Sequence, residues 1–194
     1  MNNPSSVAPS LILAIDFGTQ SCRALAYTAQ GECLAKCQLP VTEYQHPEPE
    51  WTEHDVEGFW TLLAESCRGL WSRGIAPQDI AAVVVTTQRA SVINLDENGR
   101  PLRPAIIWTD QRRAPLRQRL PWYWRALFGV LRIRSIVDNL EAETEANWLE
   151  QYEPELLART AHYLLLSGYL NYRFTGEFKD SVGSQVGYLP FDFK

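Results

Sequence analysis

The residues best suited to chemistry in this chain are gathered in the run Asp16-Phe17-Gly18-Thr19-Gln20-Ser21-Cys22-Arg23. The run follows the apolar stretch Leu11 to Ile15, so the Asp16 carboxylate falls at the end of a buried strand. A carboxylate there is costly unless a cation or hydrogen-bond donors meet it, and a metal ion or bound water is the usual partner. Gly18 allows a close turn, which lets the amides of Thr19, Gln20 and Ser21 face a phosphate, their side chains adding donors. Arg23 supplies positive charge for phosphate oxygens. The competing reading is a plain hairpin whose Asp caps its own turn, and the residues alone do not separate the two.

The four cysteines offer less. Cys22, Cys33, Cys37 and Cys67 form no C-x-x-C pair, and the Cys33–Cys37 spacing has no second ligand pair to complete a zinc site. Buried free thiols are the expectation, a pattern that suits the cytoplasm.

The elements that must position these groups can be read from apolar patterning. Residues 11–15 form a short apolar run that stops at a turn, and 22–28 alternate, so both read as strands. Gln30-Gly31 marks the next turn, and 32–39 reads as a third strand, giving an antiparallel meander. Residues 40–51 carry three prolines and no period, hence a loop. Thr52 is the expected cap of a helix over about 52–73, with Asp55 at the capping-box position. Its stripe is Val56, Phe59, Trp60, Leu63, Cys67, Leu70 and Trp71, and Gly74 is its stop. Residues 80–87 (IAAVVVTT) are apolar enough to predict a strand covered on both faces. A hairpin follows, Ser91–Leu95 and Ala105–Trp108, around Asp96-Glu97-Asn98-Gly99. Three tightly joined strands, a helix and further strands predict an α/β domain with a mixed sheet.

Composition narrows the function classes. The 194 residues are 45% apolar and 21% charged, with a net charge of -5, which argues against a nucleic-acid partner. No apolar run approaches the roughly 20 residues of a membrane span, and no membrane partner is expected. Leu11 to Ile15 is too short for a signal-peptide core, and residues 1–10 read as a flexible tail. After residue 110 the chemistry shifts. Gln111 to Val137 holds seven arginines and no acid, with Trp122, Tyr123, Trp124 and Phe128 among them. Asp138 to Glu155 holds seven acids and no Lys or Arg. Leu116, Leu120, Trp124, Leu127, Phe128 and Leu131 lie at helical spacing, with Pro121 breaking the run. The simplest reading is a pair of oppositely charged helices packed together. The sharper one is contact with a membrane surface or RNA, against which the acidic block counts.

Four segments together resemble a known family. Leu13 to Tyr27 (LAIDFGTQSCRALAY) is similar to the first phosphate motif of the actin and sugar-kinase ATPase superfamily, and more narrowly to that of the FGGY carbohydrate kinases. Pro47 to Trp60 resembles the family's Trp-x-Glu-His-Asp segment. Ile80 to Arg112 resembles its substrate-side strand, hairpin and Trp-x-Asp-x-Arg element. Ser167 to Phe193 resembles the helix and strand leading to the sugar cleft. The resemblance implies a ribonuclease-H-like (actin-like ATPase) fold over 11–194, with 111–160 as a helical insertion, and ATP and Mg2+ as cofactors. By the same resemblance Asp16 holds the magnesium, and Gly18, Thr19, Gln20, Ser21 and Arg23 meet the nucleotide's phosphates. Gln88, Arg89, Asp110 and Arg112 bind the sugar or polyol, although Asp110 and Arg112 read equally as a structural ion pair.

The family's general base and its C-terminal adenosine-binding domain are expected past Lys194, so the isolated chain is expected to be inactive; a homodimer is left open. Glycerol kinases carry an acid after the Arg, where this chain has Ala90, and an aromatic contact where it has Leu140. The Met-His-Gly signature of xylulose kinases is missing as well. These departures suggest a polyol of about four to six carbons rather than glycerol. The alternatives are a non-catalytic actin-like relative and an interaction module built on the 111–155 charge blocks.

Overall fold

The antiparallel meander opens the chain, in a computed structural model that describes residues 10–115, 121–132, 134, 135, 142 and 144–185. Most of the N-terminal tail, Leu116, Leu120, Leu140 and the end of the fourth family-like segment lie outside the described residues. Strands β1 (Leu11–Phe17), β2 (Ser21–Tyr27) and β3 (Cys33–Pro40) pair antiparallel, and β5 (Ile80–Thr87) adds parallel to β1, giving the order β3-β2-β1-β5. This is the expected mixed sheet. Its inward residues Ile15, Phe17, Cys22, Ala24 and Ala26 are fully buried.

Helix α1 (Val56–Trp71) covers β2 and β3 with Val56, Phe59, Leu63, Cys67 and Leu70. Trp60 and Trp71, at the edge of the same stripe, are only partly buried. The cap is Asp55 rather than Thr52: its carboxylate accepts the Gly58 N–H at 3.0 Å. Thr52 is displaced from the helix because Glu53–His54 forms β4 and pairs with β7 (Ala105–Ile106). Strand pairing there outcompetes an earlier helix start. Gly74 follows the helix end in a left-handed turn, φ 94°.

The hairpin belongs to a second, antiparallel sheet, which the sequence reading did not anticipate. Its order is β4-β7-β6-β8, with β6 at Val92–Leu95 and β8 at His162–Leu165. The hairpin turn is held by the Asp96 carboxylate, which accepts from the amides of Asn98 and Arg100. Gly99 closes it at φ 75°, and a Cβ there would collide with the Tyr172 ring.

Two expectations fail. Among the described residues β5 is the last strand of its sheet, and Ala81 to Val84 are exposed while α1 packs mainly on β2 and β3. The two charge blocks also do not form a packed helix pair among the described residues. Helix α2 (Trp122–Val130) buries no residue, whereas α3 (Glu145–Tyr152) buries Trp148 and Leu149 beside Ala114. Pro121 immediately precedes α2. Helices α4 (Pro154–Arg159) and α5 (Leu166–Thr175) follow, α5 ending at Gly176 in the left-handed conformation.

Candidate active site

The parallel strands β1 and β5 end side by side, and the Gln88 amide extends their ladder by donating to the Phe17 carbonyl at 2.7 Å. The C-terminal ends of neighbouring parallel strands are where open α/β sheets place ligands. Around this point two groups of polar residues meet.

The first is the Asp16–Arg23 hairpin. Asp16 and Arg23 are cross-strand partners, joined by a 2.5 Å contact between Nη1 and Oδ2, with both side chains part-exposed. The turn is tight, since the Gly18 N–H donates to the Ser21 carbonyl at 3.0 Å. Gly18 has no positive φ, and a Cβ there would meet Ser21 O at an ordinary 3.6 Å. The chain's own packing therefore does not demand glycine here. The loop is fixed from behind: Tyr44 Oη donates to the Thr19 carbonyl at 2.6 Å, and the Val41 N–H to the Gln20 carbonyl at 3.0 Å. Burial raises the Tyr44 phenol above its ordinary value. Gln20, Ser21, Arg23, Gln38 and Pro40 line a polar cleft of about 500 Å³.

The second group follows β5. Gln88 is 8% exposed, yet neither Oε1 nor Nε2 has a hydrogen-bond partner. One polar neighbour is Tyr44: the phenol donates to Thr19, and its oxygen feels the Gln88 side chain, which works against burial on the phenol, but the two make no hydrogen bond of ordinary geometry. Arg89 is exposed, and Ala90 takes φ 53°, a conformation that non-glycine residues adopt at some cost. The Ser91 hydroxyl is buried and also without a partner. Orphaned buried polar groups and a strained backbone gathered on one loop are features of a ligand site rather than of a packing core.

Trp108 reaches the first group from the loop after β7. Its indole N–H donates to Thr19 Oγ1 at 2.8 Å, while the residue remains 52% exposed. The family-like Trp-x-Asp-x-Arg element contained this residue, but the sequence reading assigned roles to Asp110 and Arg112 instead. Tyr44 and Ser91 were missed too. No spacing pattern flags them, since Tyr44 lies in an aperiodic loop.

Asp110 and Arg112 come together in a different environment. Their side chains are 2% and 1% exposed. Asp110 accepts from the Thr52 amide at 2.6 Å and from Arg112 through both oxygens at 2.8 Å. Arg112 also reaches Glu53 at 2.8 Å, and Glu53 takes a second ion pair from Arg103. The Arg112 guanidinium lies 4.1 Å from the Trp51 ring and 4.6 Å from that of Trp148. Burial works against its charge, but Asp110 and Glu53 hold its pKa above the ordinary value. Burial lowers that of Arg103. The network ties the 107–112 loop to β4, which places Trp108 at its tip.

The mixed sheet with its tight Asp16–Arg23 hairpin fits an actin-like ATPase fold, and solved structures share it. The structure aligns with a xylulose kinase from Brucella ovis at TM-score 0.68 and 23% identity, over 86% of this chain and 34% of that one. It aligns with Plasmodium falciparum glycerol kinase, solved with ADP, at TM-score 0.61 and 23% identity, over 86% and 34%. Residues 11–187 match the N-terminal domain of the FGGY family of carbohydrate kinases, and the chain belongs to that family. Among curated relatives, glycerol kinase of Halorhodospira halophila is 33% identical over 81% of this chain and 31% of its own length. Glycerol kinase 1 of Pseudomonas aeruginosa is 33% identical over 85% and 34%. The chain thus spans about a third of the length of these relatives. Among the described residues no helix is long and apolar enough to cross a membrane.

Proposed function

We propose that this chain forms the phosphate hairpin and one wall of the sugar cleft of an ATP-dependent carbohydrate kinase. The observation that carries the reading is the unpartnered, buried Gln88 amide beside Arg89, at the strand end that adjoins the Asp16–Arg23 hairpin. An amide that gives up both its hydrogen bonds on burial is costly unless a ligand supplies them, and a polyol offers both donors and acceptors.

Thr19, Gln20, Ser21 and Arg23 suit the nucleotide's phosphates, and Gly18 keeps the approach open because the protein's own packing does not need it bare. Asp16, whose Oδ2 is paired with Arg23, is the carboxylate that would face magnesium. Among the described residues no cluster of three or more His, Cys, Asp or Glu stands ready to hold a metal. That composition fits an ion carried mainly by phosphate oxygens and water, as Mg2+ usually is. When bound, the ion neutralises charge on the transferred phosphoryl group. On the sugar side, Gln88 and Arg89 supply hydrogen bonds and Trp108 an apolar face. Asp110 and Arg112 act by positioning Trp108.

The supported substrate class is polyhydroxylated. The curated relatives' names point to glycerol. Ala90 points to a larger sugar or sugar alcohol, because its methyl group leaves room where an acid side chain would extend. A second wall, carrying the general base and the adenosine site, comes from further polypeptide of the relatives' length.

The test is a phosphorylation screen of such a full-length polypeptide with ATP against glycerol, erythritol, pentitols, ketopentoses and ketohexoses. Turnover of at least one, with kcat/KM reduced by Arg89→Ala, is expected. No turnover of any polyol would overturn the reading. The 194-residue chain alone is expected to show none, since a general base by itself contributes about 10² to 10⁴ in rate.

A further inference from the structure

Strand β3 brings a side chain to the phosphate cleft that the hairpin motif does not contain. Asp16 is the direct cross-strand partner of Arg23, and Arg23 is that of Gln38. Directly opposed residues share a face, so the three side chains form one row across the first sheet. Gln38 is exposed, and it lines the cleft of about 500 Å³ together with Gln20, Ser21, Arg23 and Pro40.

Two features set Gln38 apart from an ordinary polar residue on an edge strand. The first is its hold on Ser21. Gln38 Nε2 donates to Ser21 Oγ at 3.2 Å, and Ser21 is only 5% exposed. The Ser21 carbonyl is fixed as well, since it accepts the Gly18 N–H at 3.0 Å. A hydroxyl that accepts from an amide still has its own proton to donate. Among the described residues no acceptor takes that proton. Phosphate oxygens are acceptors, and a hydroxyl already polarised by a donor gives the stronger hydrogen bond. The second feature is neutrality. Arg23 meets one acid, Asp16, through Nη1, and its other N–H groups bond no further described residue. An exposed strand gains from an acid opposite an arginine, yet an amide stands at this position. A carboxylate there would close Arg23 between two acids, whereas the amide leaves the guanidinium's free edge to phosphate oxygens.

We propose that Gln38 is a positioning residue of the nucleotide's phosphate site. It holds the Ser21 hydroxyl as an acceptor, so that the hydroxyl proton is directed at the phosphates, and it keeps Arg23 clear of a second acid. Its role rests on the reading of the Asp16–Arg23 hairpin as the phosphate site, to which it adds a third strand.

The experiment measures the KM values for ATP and for the phosphorylated polyol in a polypeptide of the relatives' full length. Gln38→Met keeps the length and removes the amide, and the KM for ATP is expected to rise about three- to tenfold, the worth of one hydrogen bond. The polyol KM and the kcat at saturating ATP are expected to stay within about twofold of wild type. Gln38→Glu can only accept, so it draws the Ser21 proton away from the phosphates and sets a second acid beside Arg23. Its KM for ATP is expected to rise about tenfold or more. Ser21→Ala should match Gln38→Met, and the double variant should add little to either, because both changes remove one device. A bond that served the fold alone would lower the thermal melt of the 194-residue chain and the yield of active enzyme without moving the KM for ATP. An unchanged KM for ATP in both Gln38 variants, an equal rise in the polyol KM, or strict additivity of Ser21→Ala with Gln38→Met overturns the proposal while wild-type turnover leaves the hairpin reading standing. Wild-type protein without any turnover overturns that reading, and the role of Gln38 with it.

Discussion

The Trp108 indole donates to the Thr19 hydroxyl at 2.8 Å, joining two segments that lie 89 positions apart in the chain. It ties the loop after β7 to the Asp16–Arg23 hairpin of the first sheet. The hydrogen bond fixes Trp108 against the hairpin, because Thr19 is itself held through its carbonyl by Tyr44.

A double-mutant cycle measures this link. Trp108→Phe keeps an aromatic, though smaller, ring and removes the N–H, and Thr19→Val removes the acceptor. Each single change is expected to cost about 0.5–1.5 kcal/mol in urea unfolding, and the pair less than the sum. Strict additivity would show that the two residues do not couple.

The buried ion network predicts a different pattern. Asp110→Asn leaves Arg112 less compensated among Glu53, Trp51 and Trp148, and breaking a buried pair typically costs about 3–5 kcal/mol. The urea midpoint should drop sharply. Should the variant retain wild-type stability while a full-length kinase carrying it loses kcat/KM, Asp110 touches the sugar directly and the positioning role is wrong.

The first sheet was legible because its signals are local. Leu11 to Ile15 is a short apolar run, residues 22–28 alternate, and Gln30-Gly31 is turn chemistry. The second sheet was not, because β4 and β7 contribute two residues each and their partners lie about fifty positions away. Thr52 carried a capping-box signature that strand pairing overrode. The apolarity of β5 was read as burial on both faces, but edge position decides exposure and no local pattern encodes it. The tight turn of the hairpin was legible in the run from Asp16 through Gly18 to Arg23. The contribution of Trp108 was hidden, because only the fold brings it to Thr19.

The cysteines should behave as buried thiols with one exception. Burial pushes Cys22 up to about 12 and Cys67 up to about 11, from the ordinary 9.0. Cys33 is exposed. In native buffer near neutral pH a disulfide reagent should label Cys33 quickly and the other three only on unfolding. These thiols also make stability pH-dependent. Below pH 9 both states keep the protons and stability is at its full value. Between pH 9 and about 12 the unfolded chain loses its protons first, so stability falls as pH rises. Cys22→Ala with Cys67→Ala should flatten that decline, and an unchanged decline would assign it to other groups.

Gln88 gives the sharpest test, because packing and function pull it in opposite directions. The side chain is buried, both its polar atoms lack partners, and its backbone is locked to Phe17 at 2.7 Å. A residue selected for packing would be apolar here. Gln88→Met keeps the length and removes the unsatisfied amide, so it should raise stability by about 1 kcal/mol. A thermal or urea melt of the 194-residue chain reads this directly. In a kinase of full length, the same change removes hydrogen bonds to a sugar hydroxyl. A site built to bond a hydroxyl loses strongly when its partner is absent, so kcat/KM should fall about tenfold or more. Gain in stability with loss in catalysis is the signature expected of a binding residue. A variant that loses stability instead would mean that the amide is satisfied within the fold, by bound water or by neighbours, and that the strain around Ala90 has some other cause. If it gains stability and catalysis is untouched, the orphaned amide is a packing defect. The sugar would then be recognised elsewhere on the cleft wall, with Arg89 and Trp108 the next residues to change.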